Sequence, residues 1–217
     1  MTRGKIEKRG QKRRKPKPVI LIVTEGSQTE PKYFEHYRTR QTNIDIRVVG
    51  SRSSAGETDY ISLIRKAIEY QAKNDLSVSN GDSVWVVADG DVNHNNPDPV
   101  TNKNQQLMKA RKMANSKNIQ IVISNPCFEL WYLLHFQYTT RYLKNYSAVR
   151  AMLVNYLPDY EKSEDVFSLL APHTEEALQG ARRLEQYHLQ NGENLPLGLH
   201  ANPFTDVYHL IEHLVLP

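Results

Sequence analysis

From Pro18 onward the chain alternates short apolar runs with stretches of helical period. The run PVILIV (18–23) is continuous and β-branched, the composition of a strand covered on both faces. Pro31, preceded by Thr29 and Glu30 as candidate caps, opens a short predicted helix, PKYFEHYRTR. IDIRVV (44–49) predicts a second strand, and the Gly/Ser-rich loop GSRSSAGE (50–57), which carries Arg52, follows it. A long helix is expected from about Thr58 to Asn74, with Ile61, Ile64 and Ile68 on one face. DSVWVVA (82–88) reads as a third strand, the loop GDVNHNNPDPV (90–100) comes next, residues 104–117 read as a helix, and IQIVIS (119–124) as a fourth strand. After Pro126 the pattern is helical to the end. The last helix is the clearest, with Val207, Leu210, Ile211, Leu214 and Val215 at i, i+3, i+4, i+7 and i+8.

Fourfold alternation of strand and helix predicts parallel strands joined by right-handed crossovers, a doubly wound α/β sheet. The expected division is a basic arm over 1–17, an α/β core over 18–136 and a helical section over 137–217 packed on that core.

Composition narrows the class. The chain has 217 residues, enough for one domain with a proper core, and 39% of them are hydrophobic and 24% charged. No stretch approaches the roughly 18–20 uncharged apolar residues of a membrane span, and no apolar leader is visible, so a cytoplasmic protein without a membrane partner is expected. The single cysteine, Cys127, excludes an intramolecular disulfide framework and a multi-cysteine zinc site.

The net charge of +4 changes meaning once it is divided along the chain. Residues 1–17 hold nine Lys/Arg, among them Arg9, Lys12, Arg13, Arg14 and Lys15, and one acid, a net of +8. The remaining 200 residues carry a net of −4. Such an arm gains affinity for nucleic acid through counterion release without reading sequence, or it acts only as a solubilising leader.

In open parallel sheets, ligands bind at the carboxyl ends of the strands. Strand one ends in TEGSQTE, strand three in ADGD and strand four in SNPCFE, which places five acids at one rim: Glu25, Glu30, Asp89, Asp91 and Glu129. Crowded carboxylates repel one another unless a cation holds them, and an all-oxygen donor set suits Mg²⁺ or Mn²⁺. Gly26 and Gly90 are read as leaving room for a phosphate to approach the backbone. Glu30 precedes Pro31 and has a second reading as a residue favouring the helix dipole, and Glu129 has a second reading as a cap of the helix after Pro126. Asp82 and Asp98 read as turn or cap residues. His135, in FELWYLLHF, reads either as a general base or as a satisfied core residue. His209 and His213 have zinc spacing without a third ligand and read as the polar edge of the last helix. His94 lies in the loop beside Asp91, within reach of a substrate. Cys127 reads as a small buried hydrophobe, Tyr33, Phe34, Trp131 and Tyr132 as core, and Asn202-Pro203-Phe204-Thr205 as a helix start.

TEGSQTEPKYF, VADGD, SNPCFELWYLLHF and the closing NPFTDVYHLIEHL together resemble the RloB family, over residues 18 to about 217. That resemblance implies a Toprim-like (Rossmann-like) four-stranded, mostly parallel sheet flanked by helices, in a family associated with bacterial phage-defence and restriction–modification loci. The Toprim signature, one Glu after the first strand and a DxD after a later one, falls on Glu25, Asp89 and Asp91. It implies a Mg²⁺- or Mn²⁺-dependent nuclease acting on RNA (tRNA included) or DNA. Glu25 would then be general base or bridging ligand, with Glu30 and Glu129 as candidates for a second ion. The resemblance alone implies a separate ATPase partner of AAA or ABC type; this chain itself has no GxxxxGK[ST], and a homo-oligomer stays open. Arg52 reads either as a nucleic-acid contact that clamps the transition state or as a solvated loop residue. The alternatives are a non-catalytic subunit that binds nucleic acid or the ATPase, and a nucleotidyl transferase that uses the same carboxylates.

Overall fold

The computed structural model describes residues 17–38, 43–50 and 59–215. The basic arm and Arg52 lie outside these residues. Five strands form one mixed sheet in the order β2-β1-β3-β4-β5. They are β1 (Val19–Thr24), β2 (Asp45–Gly50), β3 (Ser83–Asp89), β4 (Ile119–Asn125) and β5 (Phe204–Thr205). The first four run parallel, in registers that align Ile22 with Val48 and Trp85, and Val87 with Val122. β5 runs antiparallel to β4, pairing Ser124 with Thr205 and Asn125 with Phe204. The sheet is therefore not the four-stranded one expected, and residues 204–205 are a strand, not a helix start. Thr205 still serves the helix that follows, its Oγ1 accepting from Val207 N at 3.3 Å.

The strands bury both faces because their residues alternate between two cores. Ile20, Ile22, Trp85, Val87 and Val122 belong to one, and Leu21, Val23, Val84, Val86, Ala88 and Ile123 to the other. Against the second face lie α2 (Tyr60–Lys73) and α3 (Pro99–Asn115), through Leu63, Ile64, Leu107 and Ala110. Against the first lie α1 (Thr29–Glu35), α4 (Glu129–Leu134), α5 (Tyr146–Leu153), α6 (Phe167–Leu170), α7 (Thr174–Gln190) and α8 (Val207–Val215). Asp59 caps α2 by accepting from Ile61 N at 3.1 Å, and Asn145 caps α5 by accepting from Ala148 N at 3.2 Å. The stripe expected on α8 is buried at Val207, Leu210, Ile211 and Leu214, whereas Val215 is exposed. No described helix is long and apolar enough to cross a membrane.

Candidate active site

The ladder between β1 and β3 continues one residue beyond β1, where Glu25 N donates to Val87 O at 3.1 Å. This fixes the backbone of Glu25 at the carboxyl rim, and its Oε2 accepts from Asp89 N at 3.2 Å. Asp89 is the last residue of β3. Beyond it the chain stays against β4: Gly90 N donates to Ser124 O at 2.7 Å and Asp91 N to Pro126 O at 3.0 Å. A Cβ on Gly90 would stand 2.6 Å from Asn125 Oδ1 and 3.1 Å from Asn125 Cα, so this close approach requires glycine. Tyr60, at the start of α2, donates its hydroxyl to Asp89 O at 2.9 Å and Gly90 O at 3.2 Å, tying down the same corner.

Glu30 lies in the first turn of α1 and is buried, and its Oε1 accepts from Gly26 N at 3.1 Å. A Cβ on Gly26 would collide with the Glu30 carboxylate. The space at Gly26 is thus taken by Glu30, and that at Gly90 by Asn125, not left for a phosphate as the sequence suggested. Glu129 opens α4 and is only 1% exposed. Its Oε1 accepts from Tyr160 Oη at 3.2 Å and faces Lys162 Nζ at 3.9 Å, while its Oε2 is buried without a hydrogen-bond partner. Asp89 Oδ1 is buried without one too, although part of the Asp89 residue reaches the surface.

All five acids line one cleft of about 540 Å³, together with Cys127, Lys144, Asn145, Tyr146 and Lys162. The electrostatics follow from burial. Asp89 is held well above the usual carboxylate range, first by loss of water and then by the charges of Glu30, Glu25 and Glu129. Glu30 is pushed up to about 7, again chiefly by burial, with backbone hydrogen bonds working against it and Glu129 and Glu25 adding to it. Burial drives the Cys127 thiol up, consistent with a small buried hydrophobe. Burial opposes the charge of Lys162, yet Glu129, Asp89 and Glu30 together raise its pKa.

The cleft therefore gathers every carboxylate the sequence singled out. Among the described residues, however, no group of three or more His, Cys, Asp or Glu side chains is arranged to hold a metal ion. Glu25 and Glu30 each give one oxygen to a backbone amide.

His135 is not brought to the cleft. It caps the carboxyl end of α4, is 1% exposed, and its Nδ1 lies 2.8 Å from Trp131 O. Its ring stacks edge-on to Trp131 at 5.0 Å, and burial pulls its pKa down to about 4. The general-base reading is corrected to a core histidine. His94 pairs with Lys144 O at 3.2 Å, and His213 with Ser83 Oγ at 3.0 Å. Arg9, Lys12, Arg13, Arg14, Lys15 and Arg52 fall outside the described residues. Lys144, Tyr146, Tyr160 and Lys162 were missed from sequence, since no periodicity links these positions to the strand ends.

The family described as RloB-like protein matches residues 20–214, from β1 through α8. The chain belongs to the RloB-like family. No curated protein matches it, and no solved structure does. The segment shared with the RloB-like family includes all five rim carboxylates and Lys162.

Proposed function

We propose that this RloB-like protein is a divalent-metal-dependent nuclease of Toprim type that cleaves phosphodiester bonds in RNA or DNA, in bacterial anti-phage defence. The observation that carries the reading is the pair of buried carboxylate oxygens without partners, Asp89 Oδ1 and Glu129 Oε2, in a cleft crowded with acids. Buried charge without a partner is costly unless a cation or a proton answers it, and all-oxygen donors select Mg²⁺ or Mn²⁺. The donor chemistry fits such an ion, with Asp89 and Asp91 as its holders and Glu25 as the neighbouring carboxylate. An ion held there would supply charge neutralisation at the scissile phosphate and the leaving oxygen.

The chain's own groups do the rest. Tyr60 and Asn125 fix the backbone of the Asp89–Asp91 corner, so the two carboxylates leave the sheet at a set angle. Glu25 would take the proton of an attacking water, through Oε1 or, once released from the Asp89 amide, through Oε2. The arm over 1–17 holds the polyanion near a body of net negative charge. An ATPase partner supplies the energy-coupled control that the chain has no P-loop to perform. The phage-defence setting and the Toprim assignment rest on family resemblance.

The test is cleavage of labelled tRNA, single-stranded RNA, plasmid and oligonucleotide DNA with Mg²⁺, Mn²⁺ or EDTA, comparing wild type with Asp89→Asn/Asp91→Asn. Metal-dependent cutting that disappears in the variant supports the reading, and equal cutting by both proteins overturns it. A second reading, a non-catalytic subunit that binds nucleic acid or the ATPase, is favoured by the carboxylates' attachment to backbone amides. Retained RNA binding with no cutting under any metal, in the presence of the ATPase, would select it. Label transfer from a nucleoside triphosphate would instead select the nucleotidyl transferase.

A further inference from the structure

Lys162 is anchored more firmly than a half-exposed lysine normally is. It belongs to the loop between α5 and α6, far in sequence from the strand ends. Three ties dock that loop on α1: Thr29 Oγ1 donates to Lys162 O at 3.1 Å, Lys32 Nζ donates to Ser163 O, and His36 Nε2 meets Asp165 Oδ2 at 2.8 Å. The ammonium lies 4.4 Å from the centroid of the Tyr146 ring, within cation–π range. It also lies 3.9 Å from Oε1 of Glu129, a carboxylate almost fully buried whose other oxygen has no partner. A lysine free to wander gains little from an exposed ion pair and loses side-chain entropy by holding one. Here the docked backbone fixes where the side chain starts, and the Tyr146 ring is what restricts its ammonium.

Nucleases that use two ions place them about 3.5–4 Å apart, so that carboxylates between and beside them are doubly compensated. In this cleft the Glu129 side already holds a positive charge delivered by the protein. A divalent ion placed against Glu129 would meet that ammonium at close range, a like-charge contact that the lysine's half exposure screens but does not remove.

We infer that Lys162 stands in for a second divalent ion at Glu129, so that the centre takes one metal ion, on the Asp89 side, and presents Lys162 to the phosphate of a substrate. This deepens the metal-dependent reading and rests on it. Glu129, expected from sequence as a ligand of a second ion, becomes the partner of a lysine. Glu30 remains with the Gly26 amide.

Mn²⁺ titration followed by electron paramagnetic resonance counts ions without requiring cleavage. The full chain is expected to take one Mn²⁺, and Lys162→Arg one. Lys162→Met is expected to take two, and adding Glu129→Gln to Lys162→Met returns the count to one. Circular dichroism melts check that each variant is folded; Lys162 is half exposed, so its truncation leaves the core intact. Two ions in the wild type, or one in Lys162→Met, overturns the inference while leaving a metal-dependent nuclease standing. No ion in the wild type overturns both. Asp89→Asn supplies the control on location: it is expected to remove the single wild-type ion.

Discussion

Two buried carboxylates in this molecule each face a cation from a distant element, and they are satisfied in different ways. Asp206, just after β5, accepts from Ile123 N through Oδ1 and faces Arg111 Nη2 at 3.5 Å through Oδ2. Arg111 in turn gives Nη1 to Leu197 O at 2.6 Å and Pro196 O at 3.3 Å, and both side chains are largely out of water. Glu129 also faces a cation, Lys162, but from 3.9 Å, with the lysine half in solvent and one carboxylate oxygen left without a partner. The first pair is closed to solvent: Ile123 N and the Leu197 and Pro196 carbonyls tie both side chains to the backbone, although Arg111 Nη2 is buried without a hydrogen-bond partner, and the pair fastens the β5 edge and the 196–197 loop to the sheet. The second is open, with unused acceptor capacity facing a cleft. A structural pair and a candidate functional one thus look alike in sequence, as a carboxylate and a base far apart, and differ in where they lie: each keeps one buried polar atom without a hydrogen-bond partner, but only the second lines the cleft, with its cation half in solvent.

The largest effect expected from this contrast falls on the open side. Asp89→Asn removes a charge from a site where burial and three other carboxylates disfavour it. Cleavage should fall by on the order of 10²–10³-fold or more, the scale seen when one electrostatic element of a transition state is removed. The urea midpoint should rise, because a crowded, poorly compensated carboxylate costs stability that function requires. Activity gels and equilibrium unfolding of the same preparation check both signs. A fall in activity together with a fall in stability would place Asp89 with the structural pair.

Next in size is the closed pair itself. Arg111→Met leaves Asp206 buried without its cation and frees the Leu197 and Pro196 carbonyls. Removing one partner of a buried pair costs about 3–5 kcal/mol, and urea unfolding at neutral pH should show a loss of that order. Cleavage at temperatures well below the midpoint should be unchanged, since neither residue lines the cleft.

The same pair gives a pH signature. Burial, working against Arg111 and the Ile123 amide, raises the Asp206 pKa from 3.8 to about 6. A folded-state pKa above the unfolded value means the native state binds the proton more tightly. The stabilisation is therefore complete below about pH 4, declines as pH rises through the window between the two values, and is gone above about 6. At about 1.4 kcal/mol per unit the contribution is on the order of 2–3 kcal/mol. Unfolding of wild type and Asp206→Asn from pH 4 to 7 checks it: the difference between their stabilities should slope across that window and flatten above it. A flat difference throughout would mean that Arg111 keeps Asp206 ionised at every pH.

Much of this contrast was visible in the sequence on one side and invisible on the other. The parallel strands were legible because runs such as Val19–Thr24 are apolar on both faces, and only a strand sandwiched between two layers needs that. The rim acids were legible because topology sends Glu25, Asp89 and Glu129 to the same edge whatever their rotamers. β5 was not, since Phe204–Thr205 has no period to read and exists only by pairing with Ser124 and Asn125. Lys162, Tyr160 and Tyr60 reach the cleft or its corner from loops and helix starts, and long-range docking, not local pattern, puts them there. His135 kept two readings for a related reason: a titratable ring on an apolar helix has the same sequence appearance whether it opens to a cleft or lies beside Trp131 O inside the core. Asp206 drew no notice at all, because its partner Arg111 is on α3 and only the fold brings them together.

The smallest effect expected is the stability change in Lys162→Met. By the logic of the closed pair, removing the cation opposite a buried carboxylate should be costly. Lys162, however, has about half of its side chain in water and stands 3.9 Å from Glu129, so screening weakens the attraction. Glu129 also keeps the Tyr160 hydroxyl after the substitution. The loop stays docked through the Lys162 carbonyl, which any residue supplies. The expected loss is therefore about 1 kcal/mol or less, measured by urea unfolding beside Arg111→Met under the same conditions. Equal losses would mean that Lys162 fastens its loop as Arg111 fastens β5, and the division between an open and a closed pair would fail. A small loss in Lys162→Met against a large one in Arg111→Met would leave Lys162 as a cation kept for what enters the cleft.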